Sequence, residues 1–136
     1  MSRENMEIVR GVYDAFTRRD NAAPFAVYAP DIVVEWNLNE GAPLDALTVY
    51  RGHEGVRRAF RNWLAPFRDL SYRPEDMRDC GDHVLATVNE HGIGRASGVV
   101  VDRRHYALWT LGGGKVVSLR NYLDRAEALK AVGREE

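Results

Sequence analysis

Three polar residues stand where strand patterning calls for apolar ones: Glu90, His105 and Asn121. In the segment from His83, one face reads Val84, Ala86, Val88 and then Glu90, against Leu85, Thr87, Asn89 and His91 on the other. In the next segment the apolar row reads Val99, Val101, Arg103, His105, Ala107, Trp109 and Leu111. In the last it reads Val117, Leu119, Asn121 and Leu123. A strand with one buried face shows an unbroken apolar row at alternate positions. A buried polar group in such a row must be paired or serve a purpose. A carboxylate, an imidazole and an amide facing one interior suit a general base, a second proton-transfer group and an orienting hydrogen bond. Such a base could take a proton next to a carbonyl, or activate water. Burial raises the pKa of Glu90 and a charged His105 nearby lowers it, and the sequence leaves that balance open. Each residue also has a structural reading. Glu90 can end its strand in solvent or pair with Arg103, His105 can be a satisfied core histidine, and Asn121 can tie down a bulge or loop.

The elements that must position these residues follow from periodicity. Val9, Val12, Tyr13 and Phe16 share one face of a helix over Arg3 to Arg18, with Ser2 as its cap. Asp20-Asn21 breaks it, and a short helix over Ala22 to Tyr28 follows, with Pro24 in its first turn. Ile32, Val34, Trp36 and Leu38 alternate with polar neighbours as a half-buried strand, and a loop from Glu40 to Thr48 follows. A third helix starts at Gly52-His53 and closes at Pro66, with Val56, Ala59, Phe60, Trp63, Leu64 and Phe67 as its apolar stripe. Arg57, Arg58, Arg61 and Asn62 read as its solvated face. The rest reads as strands: a weak one over Leu70 to Arg78, placed at an edge or bulge by Pro74, then His83 to Arg95, Gly98 to Leu111 and Lys115 to Asp124. Cys80-Gly81-Asp82 and Gly112-Gly113-Gly114 are turns, and Arg125 to Val132 is a helical tail. Gly92, Gly94 and Gly98 read as points where the sheet bends. Helices first and an antiparallel meander after them predict an α+β fold: a cone-shaped, curved, antiparallel or mixed sheet packed on three helices, with a single apolar pocket between the layers. The whole chain, residues 1–136, reads as one domain.

Composition narrows the function. Hydrophobic residues at 45% and charged residues at 29% are an ordinary globular balance. A net charge of -1 argues against a nucleic-acid binder. The single cysteine, Cys80, allows no internal disulfide and fits a reducing compartment. With no signal peptide and no membrane-length apolar run in the sequence, the expected location is the cytoplasm. The four histidines show no metal-ligand spacing, and no glycine-rich phosphate loop follows a strand, so no metal and no cofactor is expected.

Several stretches carry a resemblance. They are Glu7 to Arg10 running into Val12 to Phe16, Ala29 to Trp36, Tyr50 to Arg57, Trp109 to Leu111 followed by Gly114 to Val117, and Tyr122 to Leu129. Together they span nearly the whole chain and resemble SnoaL-like proteins of the nuclear transport factor 2-like, ketosteroid isomerase-like superfamily. That resemblance implies the cone-shaped fold. It leaves the reaction open, because the fold hosts isomerases, cyclases, epoxide hydrolases, dehydratases and non-catalytic proteins. The ketosteroid isomerase base falls on Trp36, its tyrosine near Val12 beside Tyr13, and its second aspartate near Ala107, so none of the three is kept. The Arg-x-Asp pair of limonene-type epoxide hydrolases falls on Val88 and Glu90, its second aspartate on Asn121, and its water-holding tyrosine and asparagine on Val34 and Trp36. Only one acid of that set remains, as Glu90. SnoaL-like cyclases use an acidic residue with histidine help, roles that Glu90 and His105 can fill.

The expected function is therefore a small-molecule pocket protein acting as a cofactor-free isomerase, cyclase or lyase. Glu90 is its expected general acid/base, His105 assists proton transfer and Asn121 orients the ligand. Trp36, Trp63, Tyr13, Phe16, Val34, Val88 and Leu119 are the expected walls. The alternatives are a protein that captures a small apolar ligand without converting it, and a dimeric interaction module. A homodimer is expected through the outer sheet face, where Val100, Tyr106, Leu108 and Tyr122 cluster.

Overall fold

The computed structural model describes residues 2–36 and 48–133, with the side chains of Ser2, Thr48 and Trp63 outside the description. The expected Ser2 cap, the 40–48 loop up to its last residue, Leu38, and the Trp63 wall therefore lie outside the described residues. Helix α1 spans Ser2–Thr17, and a short 3-10 turn spans Ala23–Ala26. Strand β1 (Tyr28–Trp36) and strand β2 (Thr48–Arg51) precede helix α2 (Gly52–Ala59), which runs on as a π-helical turn over Phe60–Leu64. Strands β3 (Phe67–Cys80), β4 (His83–Gly94), β5 (Val100–Gly112) and β6 (Lys115–Tyr122) follow, and helix α3 (Arg125–Ala131) closes the chain. The six strands form one open, curved sheet in the order β2-β1-β6-β5-β4-β3. The β1–β6 pair is parallel and the others are antiparallel, so the sheet is mixed. This is the α+β cone expected from the pattern of elements.

The helices sort onto the two faces by their apolar stripes. Val9, Val12 and Tyr13 of α1 are buried, and α1 packs on β3 and β4. One turn before Val9, the buried Asn5 donates from Nδ2 to the Gly81 carbonyl at 3.2 Å, which ties α1 to the β3–β4 turn. A deeper tie comes from Trp109 on β5, whose Nε1 donates to Tyr13 Oη at 3.1 Å. Their rings meet edge to face, 5.5 Å apart. Helix α2 packs on β1 and β2. Gly52 makes the turn from β2 into α2 at φ 73°, a backbone conformation that costs glycine little.

Helix α3, the expected helical tail, lies on the opposite face of the sheet. Asp124 caps it, accepting from Ala126 N at 2.9 Å. Its Ala128 is buried against Leu85 and Leu108, with Tyr106 and Tyr122 packed at the margin. Of the four outer-face residues expected at a dimer surface, Leu108 is thus buried by its own chain and Tyr106 and Tyr122 are half-buried. Val100 stays 58% exposed beside Val99 at 59%. Val99 does not begin the buried row of β5, because the strand starts one residue later.

Two register details depart from the alternating pattern. The β5–β6 pairing shifts between Thr110 and Leu111, so Trp109 faces Leu119 but Leu111 faces Val116. The extra residue, Val117, reverses parity in front of it. Val116 is therefore the buried residue at the start of β6, in place of Val117. Strand β3 is longer than expected, at 14 residues, because it is a sheet edge held by backbone pairing with β4. Pro74 sits at its register shift, as a residue without an N–H should.

Candidate functional site

The inward row of β4 ends as its pattern indicates. Val84, Ala86, Val88 and Glu90 are all buried. Opposite them on β5 stand Trp109, Ala107, His105 and Arg103, in that order. Glu90 therefore faces Arg103 directly and His105 diagonally. Its Oε1 accepts from His105 Nδ1 at 3.0 Å and from Arg103 Nε at 3.3 Å. The Glu90 and His105 side chains are 7% and 5% exposed, while Arg103 at 28% reaches toward solvent.

The structure decides the balance that the sequence leaves open. Burial pushes the Glu90 carboxyl up. The hydrogen bond and charge of His105, together with the Arg103 guanidinium, outweigh that and hold it below the ordinary glutamate value. Glu90 is thus an anion at neutral pH, and an anion receives the proton of Nδ1–H. That tautomer leaves Nε2 of a neutral His105 with its lone pair. Among the described residues Nε2 has no hydrogen-bond partner. The Tyr72 ring meets the imidazole edge to face at 5.5 Å. Burial raises the pKa of the Tyr72 hydroxyl, so it stays protonated and able to donate.

A stability effect follows from the lowered Glu90 value. The unfolded chain holds the Glu90 proton up to about pH 4.3, whereas the folded chain releases it at lower pH. The stabilisation is complete above that unfolded value and is lost as pH falls through the folded one. In urea unfolding between pH 7 and pH 3, the advantage of the wild type over Glu90→Gln should shrink below about pH 4.3. A difference that stays flat across the range would show that the carboxylate carries no such coupling.

Asn121 is the third member of the expected set, and it stands apart from the pair. It is 3% exposed, faces Ala107 in the sheet register, and donates from Nδ2 to the Glu35 carbonyl at 3.4 Å. It bridges β6 to β1 and lies one row along the inner face from His105. Ala86 and Ala107 fill that row with minimal side chains.

Among the described residues, two adjoining cavities share Phe16, Asn21, Phe60 and Leu64. The larger, about 540 Å³, lies between α2 with its π turn and the β1–β6 part of the sheet. Phe16, Val34, Trp36 and Leu119 line it. The smaller, about 280 Å³, lies against β3 and has Tyr72 in its wall. Tyr13 and Val88 line neither. Tyr13 is spent on the Trp109 contact, and Val88 is fully buried in the core. Glu90, His105 and Asn121 also stand outside both linings, and Tyr72 connects the smaller cavity to His105.

Several lining residues escaped the sequence reading. Asn21, Pro24 and Phe25 reach the larger cavity because the α1 end and the 3-10 turn are fixed in place. Asp20 Oδ1 accepts from Ala22 N and Ala23 N, at 3.2 and 3.0 Å. Arg57 and Arg61, read as solvated, line the same cavity with Leu64. Their i, i+4, i+7 spacing was the available signal. The π turn adds a residue to the helix and rotates the face that follows. His53, by contrast, makes a structural contact, with Nε2 3.0 Å from the Tyr28 carbonyl. Among the described residues no three His, Cys, Asp or Glu side chains gather where they could hold a metal ion. None of the described helices is long and apolar enough to cross a membrane.

Comparison with known proteins places this geometry. The profile of the SnoaL-like domain matches residues 9–119. The chain belongs to the SnoaL-like domain family. A nuclear transport factor 2-like protein of Burkholderia thailandensis is 30% identical, with a TM-score of 0.72, covering 90% of this chain and 95% of that one. A second, of unknown function, from Burkholderia pseudomallei, is 22% identical with a TM-score of 0.76, covering 95% and 97%. A Sinorhizobium meliloti protein described provisionally as a polyketide cyclase is 23% identical with a TM-score of 0.66, covering 85% and 93%. No curated protein sequence matches the chain. For this SnoaL-like protein, the family accounts for the cone and leaves the chemistry to the side chains.

Proposed function

We propose that this SnoaL-like protein is a cofactor-free acid–base catalyst, of the isomerase, cyclase or lyase kind, acting on a small apolar organic molecule. His105 is the group that moves the proton and Glu90 positions it, which inverts the roles expected from sequence. One observation carries this reading: the buried 3.0 Å contact between Glu90 Oε1 and His105 Nδ1, which leaves Nε2 as a base. Nε2 takes a proton from carbon next to a carbonyl, and Glu90 stabilises the imidazolium that forms. The enolate then takes a proton at another carbon, attacks a second carbonyl, or expels a leaving group. The protonated Tyr72 hydroxyl, whose ring meets the His105 imidazole, is the donor offered to the oxyanion. The provisional description of the Sinorhizobium protein as a polyketide cyclase is in keeping with enolate chemistry.

A second reading, capture without conversion, is favoured by one fact. Neither Glu90 nor His105 lines the described cavities. The two readings separate with 2-tetralone, an apolar bicyclic ketone with exchangeable protons beside its carbonyl. In deuterated buffer at neutral pH, followed by proton NMR, catalysis gives faster loss of the signals of the protons beside the carbonyl than in buffer alone. Binding without faster exchange supports capture.

A further inference from the structure

The two cavities together are lined by four arginines, Arg19, Arg57, Arg61 and Arg95, and by no aspartate or glutamate among their described lining residues. That is a marked asymmetry in a chain with 19 basic and 20 acidic residues. In the smaller cavity the guanidiniums are held by backbone carbonyls, Arg19 Nη1 by Leu70 O at 3.3 Å and Arg95 Nε by Ala65 O at 3.0 Å. In the larger one no described backbone carbonyl holds them. Arg57 lies over the Phe25 ring, with Cζ 4.8 Å from the centroid. Its one ion pair, to Glu54 at 3.2 Å, is solvent-exposed and therefore weak. Arg61, one helical turn on, has no ion-pair partner among the described residues. Both arginines line a volume otherwise walled mostly by apolar groups such as Phe16, Trp36 and Leu119.

We infer that the larger cavity takes an organic carboxylate, with its apolar body against Trp36 and Leu119 and its acid group on Arg57 and Arg61. A guanidinium fork bonds a carboxylate through paired N–H donors, a geometry that a single exposed ion pair such as Arg57–Glu54 does not use up. The inference rests on the proposed small-molecule function, takes this cavity as the place where the ligand's body sits, and adds the class of ligand.

The test uses three probes with one apolar body: 2-naphthylacetate, its methyl ester, and 2-(2-naphthyl)ethylamine. Binding is measured by calorimetry at pH 7.5 in low salt. The acid should bind about tenfold more tightly than the ester, and the amine more weakly than either. In Arg61→Gln and in Arg57→Gln the gap between acid and ester should fall below about threefold, with ester affinity unchanged, and Arg61→Lys should keep part of it. Raising the salt should narrow the gap in the wild type. Equal or tighter binding of the ester, a full gap in Arg61→Gln, or no binding of the acid at millimolar concentration overturns the inference. Exchange of the uncharged 2-tetralone needs His105 and neither arginine. Its failure alongside a preserved acid preference would sink the catalytic reading alone.

Discussion

Replacing His105 with Ala is expected to lower the protein-dependent exchange of 2-tetralone by ~10²–10⁴-fold, the usual range for losing a positioned general base. The fold should survive, because Glu90 keeps its contact with Arg103 at 3.3 Å and remains a paired anion. Glu90→Gln should cost a comparable factor for a different reason. The new amide can donate to Nδ1, which moves the imidazole proton to Nε2 and removes the lone pair that does the work. The pattern across the two variants distinguishes the roles. Were Glu90 itself the base, His105→Ala would retain much of the exchange and Glu90→Gln would retain none. Near-wild-type exchange in His105→Ala, with matched thermal unfolding, would remove the imidazole from the mechanism.

The largest effect on stability is expected at Trp109. It is 1% exposed, and its indole both fills the centre of the core and supplies the N–H that satisfies Tyr13 Oη. Trp109→Ala leaves a void that the sheet cannot collapse into, and it orphans a hydroxyl that is itself buried. A loss of about 3–5 kcal/mol is expected, from a total stability of about 5–15 kcal/mol for a domain of this kind. Trp109→Phe keeps most of the volume and loses only the hydrogen bond, so it should cost about 1–3 kcal/mol. Urea unfolding midpoints at pH 7 measure both. A loss below about 1.5 kcal/mol for Trp109→Ala would mean that the contact between α1 and β5 does not anchor the cone.

Periodicity made much of this architecture legible, and its limits are physical. The α1 stripe at Val9, Val12 and Tyr13 and the β4 row from Val84 to Glu90 read correctly because each element keeps one period along its buried face. The β6 row misreads at Val117 because a bulge changes parity without leaving a mark in residue type. Strand β2 went unseen because four residues are too few to show a period. Strand β3 looked short because an edge strand held by backbone bonds needs little apolar content. Glu90 and His105 were visible as interruptions of apolar rows, and the structure brings them together. Their division of labour was not visible, since it depends on a hydrogen bond and on Arg103 across the strand pair. Tyr13 and Val88 were taken for walls because inward parity does not separate cavity lining from solid core. Arg57 and Arg61 were missed because arginine stems can line an apolar cavity while their charged heads stay in water.

The most direct measurement is the tautomer of His105, read from the ¹⁵N chemical shifts of its ring at pH 8. The expected result is a protonated Nδ1 and a bare Nε2, with the proton on Nδ1 lost or displaced in Glu90→Gln. A proton on Nε2 with Nδ1 bare would mean that Glu90 does not hold the ring as an anion. The positioned base on which the proposed chemistry depends would then be absent.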